Sequence, residues 1–137
     1  MKYAVIDTNV LVSSQITRHD DASTRQVVKA VFDGYVTPIV TQAILAEYQD
    51  VLLRPKLHLH EDVATTRVSH FSRYGLFVEP THYSADLPDE TDRIFLEAVL
   101  AALGDGAVLV TGNKRHFPDA DFVLTPSEFV ALYAPLM

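Results

Sequence analysis

Cysteine is absent from this 137-residue chain. That excludes disulfides, Cys-ligated zinc and thiol catalysis, and it fits a reducing compartment. Long hydrophobic runs are missing as well: no apolar stretch approaches the ~20 residues that a membrane span requires. Positive charge is scarce, with 11 Lys and Arg against 18 Asp and Glu and a net charge of −7. Such a balance argues against a conventional nucleic-acid-binding surface. It leaves a nuclease open, because acids gathered around Mg²⁺ or Mn²⁺ inflate the negative count and the ion reverses the local field. An acidic body also suits a basic protein partner.

Hydrophobic residues make up 48% of the chain and charged ones 21%, the balance of a globular protein with a proper core. The length suits one domain, expected over residues 1–137, and is too short for two ordinary ones. Met1-Lys2 leads directly into the first expected strand, so no signal peptide and a cytoplasmic location are expected.

Apolar patterning places the elements. Residues 2–6 are apolar almost throughout, as in a central parallel strand buried on both faces. A short helical stretch begins around Val10-Leu11-Val12, and a helix from near Ser23 carries the stripe Val27, Val28, Val31 and Phe32, ending at Gly34. Residues 35–40 read as a second strand. Thr41 then caps a helix whose stripe is Ile44, Leu45, Tyr48, Val51 and Leu52. Further helices are expected over roughly residues 61–74 and from Asp89 to Gly104, with strands at 76–78, 107–111 and 122–124. Thr125-Pro126-Ser127-Glu128 is a capping box opening a terminal helix. Alternating strands and helices predict an α/β fold with a parallel sheet covered on both faces.

Acids recur where such elements return to one sheet edge. Asp7 ends the first strand, where open α/β sheets place ligands; a helix N-cap is the plain alternative. Glu47 borders the buried stripe of its helix. In Asp89-Glu90-Thr91-Asp92 the two aspartates, three apart, share a face at the positive end of a helix. A capping box and convergence on one ion are both compatible with that spacing. After the fourth strand, Thr111-Gly112-Asn113 offers a tight turn with neutral oxygens, and Lys114, Arg115 and His116 could meet phosphates. His58 and His60 sit two apart near a loop, a poor geometry for zinc.

In these pieces the chain resembles the PIN-domain family over almost its whole length. The resemblance rests on Ala4-Val5-Ile6-Asp7-Thr8-Asn9-Val10-Leu11, on Glu47, and on the stretch from Asp89 through Arg93-Ile94-Phe95-Leu96 to Glu97. Leu109-Val110-Thr111-Gly112-Asn113-Lys114-Arg115-His116-Phe117-Pro118 completes it and looks most like the VapC-type toxins of type II toxin–antitoxin systems. The resemblance implies a three-layer α/β/α sandwich with a central, mostly parallel sheet of four to five strands. It implies a Mg²⁺- or Mn²⁺-dependent endoribonuclease with Asp7, Glu47 and Asp92 as the core acids and Asp89 as a further metal ligand. Thr8, Asn9, Thr111 and Asn113 would support the site, and Lys114, Arg115 and His116 would bind substrate. Many members carry a fourth aspartate where this chain has Asn113, and an amide supplies no charge to a second metal. A small antitoxin placing a basic residue among the acids, and self-association into dimers or larger oligomers, are also implied. Two rival readings stand beside this one. One is an inactive PIN-like module that binds RNA or protein. The other is a phosphotransfer domain with Asp7 as nucleophile, disfavoured because Asn9 stands where a second aspartate is needed.

Overall fold

The computed structural model describes residues 2–136. Five strands form one parallel sheet: β1 (Lys2–Ile6), β2 (Val36–Val40), β3 (Leu76–Phe77), β4 (Val108–Val110) and β5 (Val123–Leu124), in the order β3-β2-β1-β4-β5. Parallel neighbours need long crossovers, and helices supply them. These are α1 (Thr8–Ile16), α2 (Ser23–Phe32), α3 (Gln42–Leu52), α4 (Glu61–Tyr74), α5 (Arg93–Ala101) and α6 (Pro126–Tyr133). The result is the expected α/β/α sandwich, with α5 packed across β1 and β4 and α2 packed against α6 and β2.

β1 lies at the centre because its residues tolerate burial on both faces: Ala4, Val5 and Ile6 are fully buried. It pairs with β2 from Lys2 opposite Val36 to Ala4 opposite Pro38, and with β4 from Ala4 opposite Val108 to Ile6 opposite Val110. β3 joins β2 only from Ile39 onward, beyond Pro38, whose missing N–H cannot serve a ladder. Gly75 feeds β3 past this point, where a Cβ would lie 3.0 Å from the Pro38 carbonyl oxygen and from Val40 Cγ2.

The connection pattern creates a switch point. From β1 the chain winds outward to β2 and β3, then returns to the other side of β1 as β4. Crossovers on either side therefore diverge from the carboxyl ends of β1 and β4, leaving a crevice there. The helix bordering that crevice is anchored by Tyr48 of α3. Its buried hydroxyl donates to the Ile6 carbonyl at 2.5 Å, and its ring packs edge-on against Phe71 and stacks with Phe95. Thr41 starts α3 by accepting the Ile44 amide, and the Thr125–Glu128 capping box starts α6 with both reciprocal bonds formed.

Two elements differ from expectation. α1 begins at Thr8, directly after Asp7. The helix expected from Asp89 opens instead as a 3₁₀ turn over Glu90–Asp92, with α5 beginning at Arg93. A 3₁₀ turn is a common tightening at helix starts, and here it turns the Asp92 side chain away from any capping bond. Among the described residues, no helix is long and apolar enough to cross a membrane.

Candidate functional site

The ends of β1 and β4 are tied together at the crevice. The Asp7 amide donates to the Val110 carbonyl at 3.0 Å, and Thr111 Oγ1 donates to Asp7 Oδ2 at 2.7 Å. Thr111 is fully buried and Asp7 is only 4% exposed. Although Asp7 occupies the N-cap position of α1, its side chain makes no capping hydrogen bond. The Thr8 and Asn9 amides at the start of that helix still approach its carboxylate, so the cap position and the cleft both bear on it. Burial drives its carboxyl up from the ordinary aspartate value to about 6, and the nearby Asp92 charge adds to the rise. The Thr111 hydroxyl and the adjacent Asn9 and Thr8 amides hold it back.

The remaining acids face the same cleft of about 470 Å³, which Asp7, Glu47, Asp89, Asp92, Asn113 and His116 help to line. Glu47 Oε2 accepts the Thr8 hydroxyl at 2.9 Å, so the first residue of α1 aims a side chain from α3. Asn9 Oδ1 accepts the Gly112 amide at 3.2 Å, and Thr111 Oγ1 accepts the Asn113 amide at 3.0 Å. These bonds shape the turn after β4. Gly112 does not adopt the left-handed conformation, so the turn needs its amide rather than glycine's conformational freedom.

Asp89 and Asp92 divide the labour that their spacing left open. Asp89 Oδ1 accepts both the amide and the hydroxyl of Thr91, at 3.0 and 2.7 Å, and these bonds lower its pKa. Asp92 caps nothing; its Oδ2 lies 2.9 Å from His116 Nδ1. Burial raises the Asp92 pKa, the charges of Asp89 and Glu47 push the same way, and the His116 contact opposes them. The tightest grouping of potential metal ligands among the described residues is Asp89, Asp92 and His116, with donor atoms within 4.8 Å of one another. Asp7 and Glu47 border the cleft outside that grouping.

His116 was expected among the substrate-binding residues with Lys114 and Arg115, and here it sits beside an acid. Its place has a physical cause: the 3₁₀ turn Lys114–His116 brings the third residue back over the cleft. Lys114 is directed elsewhere, with its ammonium 3.0 Å from Glu128 of the α6 capping box. Arg115 is exposed and is not part of the cleft lining. His60 caps α4 by accepting the Asp62 amide, which employs its Nδ1 locally.

The sequence reading missed the support under the aspartates. Arg93 grips Glu90 with Nε and Nη2, at 2.7 and 2.8 Å, and donates to the Tyr83 and Ala85 carbonyls. Glu97 accepts the Tyr83 amide at 2.9 Å. Together they fasten the polar segment that leads into Asp89. The only available signal was Arg93 beside the acids, and its three-residue spacing from Glu90 resembled an ordinary helix-surface pair.

No Lys or Arg among the described residues forms an ion pair with Asp7, Glu47, Asp89 or Asp92. Partly buried carboxylates without a cationic partner are costly. The donor set is rich in carboxylate oxygen, which suits a hard divalent cation, and one imidazole is acceptable to Mn²⁺. The residues present thus fit such an ion.

A family model described as PIN domain matches residues 3–115, most of the chain. The chain belongs to the PIN domain family. PIN domains are generally nucleases. No curated protein matches this one. The fold is similar to a chain in the crystal structure of VapBC2 from Rickettsia felis bound to a DNA fragment from their promoter. The TM-score is 0.51 and the identity 17%, covering 90% of this PIN domain and 97% of that chain.

Proposed function

We propose that this PIN domain is a Mg²⁺- or Mn²⁺-dependent endoribonuclease and the toxin of a type II toxin–antitoxin pair. The observation that carries the chemistry is a nearly buried Asp7, pushed up to about 6, at a sheet switch point beside Glu47, Asp89 and Asp92 with no Lys or Arg among the described residues paired to any of them. Asp7, Glu47, Asp89 and Asp92 would hold the ion, with His116 beside them. When bound, the ion supplies Lewis acidity toward the phosphodiester and a more acidic water. Thr111 and Thr8 keep Asp7 and Glu47 oriented, and Asn9 and Asn113 shape the turn that closes the cleft. No side-chain nucleophile is required, in keeping with the lack of cysteine.

The toxin role is supported by the family, by the fold shared with a VapBC2 chain, and by the Leu109–Pro118 stretch. It implies a small antitoxin that offers a basic residue to these acids, and assembly as a dimer or larger oligomer. The neutral Asn113 favours a second reading, a weakly active or inactive module that binds RNA or protein, because the fourth corner adds no charge for a second ion.

Cleavage of single-stranded and structured RNA with added Mg²⁺ or Mn²⁺, against EDTA, tests the nuclease. Asp92→Asn is expected to lower turnover by at least ~100-fold, since metal stabilisation of the transition state is worth several kcal/mol. Unchanged turnover in that variant would remove the proposed site. Calorimetric titration with Mn²⁺ separates the second reading: an inactive module shows no binding that depends on Asp7 and Asp92.

A further inference from the structure

The cleft that the acids line also holds residues of a different chemistry. Arg54 and Lys56 line it together with Val12, Ile16, Val51 and Leu57. Both cations stand on an ordered turn at the end of α3. Arg54 N–H donates to the Val51 carbonyl at 3.1 Å, Leu57 N–H to Arg54 at 3.0 Å, and His58 N–H to Pro55 at 3.1 Å, closing the turn in a left-handed conformation at His58 (φ 54°). Pro55 fixes the first position of that 3₁₀ turn. Among the described residues Lys56 has no carboxylate partner, and Arg54 has only a 3.3 Å contact with exposed Asp50. The apolar wall includes Ile16, which is 53% exposed although aliphatic.

Several other cations are occupied, and the exposed Arg18 and Arg115 do not line the cleft. Lys114 is held by Glu128. In the hollow between α1, α2 and α4, Arg25 is bound to Asp20 and to the Ser14 and Thr17 carbonyls, Lys29 to Asp33, and Arg67 to Gln15. Among the described residues, only the cleft joins available cations to apolar surface beside the acids.

We infer that Arg54 and Lys56 bind the substrate strand, holding a phosphate next to the scissile one while an unstacked base rests against Ile16 and Leu57. This assignment rests on the ribonuclease reading and adds to it the residues that would hold the strand. An acidic protein repels a polyanion at long range, so a local pair of cations is needed to draw the strand against the carboxylates. The apolar wall accepts a base only after it leaves its stack, which a duplex resists.

The test compares wild type with the Arg54→Ala/Lys56→Ala double variant on a labelled single-stranded oligouridylate and on its duplex with oligoadenylate. Cleavage is measured with Mn²⁺ from 50 to 200 mM KCl, and binding in EDTA by fluorescence anisotropy. The double variant should show a KM raised roughly 10-fold at low salt and a salt slope smaller by about 1.4, as loss of two single-strand phosphate contacts requires. Its kcat and its Mn²⁺-induced thermal shift should stay at the wild-type values. Equal KM, equal anisotropy and equal salt slope would overturn the assignment. So would a fall in kcat with loss of the Mn²⁺ shift, which would place the two residues in the metal site, or duplex binding as tight as single-strand binding. A wild-type chain that cleaves nothing refutes the nuclease reading separately, and the anisotropy comparison, which needs no turnover, still decides whether Arg54 and Lys56 hold the strand.

Discussion

Replacing Asp7 by asparagine should stabilise the metal-free protein while abolishing metal binding, and the magnitude follows from its surroundings. Asp7 is 4% exposed, and its carboxyl rises from 3.8 to about 6, chiefly through burial. A rise of that size corresponds to about 3 kcal/mol of preference for the protonated form. Below pH 3.8 the group is protonated in the folded and unfolded chains alike and costs nothing. As pH climbs toward 6, the unfolded chain releases its proton first, so folding is progressively penalised. Above about 6 the whole penalty is present. The asparagine of the variant never ionises and escapes it, while its amide oxygen can still accept the Thr111 hydroxyl. The amide NH₂ replaces an acceptor near the Thr8 and Asn9 amides, which lowers the expected gain to about 1–3 kcal/mol at pH 7.5. For a chain of this size that is a rise in Tm of roughly 3–10 °C in EDTA, fading to nothing near pH 4. Mn²⁺ should reverse the order: at 1,000 times its Kd it adds about 4.1 kcal/mol to the wild type and nothing to the variant. The assay is thermal unfolding from pH 4 to 8, with and without Mn²⁺. An Asp7→Asn chain less stable than wild type in EDTA at pH 7.5, or a stability difference that does not change with pH, refutes the reasoning.

Thr111→Val removes the donor that favours the Asp7 anion, so the Asp7 pKa should climb further and the variant should lose about 1.5–3 kcal/mol at pH 7.5 but little near pH 4. Chemical denaturation at the two pH values measures this, and an equal loss at both would assign the effect to packing. Arg93→Met releases the segment that carries Asp89 while leaving every acid in place, and Mn²⁺ affinity should fall about 10-fold, as when an outer support of a metal site is lost. Calorimetry decides it; unchanged affinity would mean the aspartates hold their positions without Arg93.

What the sequence by itself determined is the set of features governed by neighbours along the chain. The uninterrupted apolar run of β1, the 3.6-residue stripes of α2 and α3, the span of α4 and the Thr125–Glu128 cap all depend on local periodicity and local hydrogen bonding. They sufficed for a parallel α/β sandwich and for the set of acids near one sheet edge. Tertiary structure alone decided what each acid touches. Asp7 meets Thr111 across 104 positions because β1 and β4 are neighbours in the sheet, and Glu47 meets Thr8 because α3 returns beside α1. Lys114 and His116, two residues apart, go to Glu128 and Asp92 because a 3₁₀ turn points them in different directions. Arg54 and Lys56 had no local mark at all, and only the tertiary structure places them in the lining of the cleft. Local pattern is set by interactions a few residues long. The burial that raises Asp7, and the company each carboxylate keeps, arise only once strand order brings distant segments together.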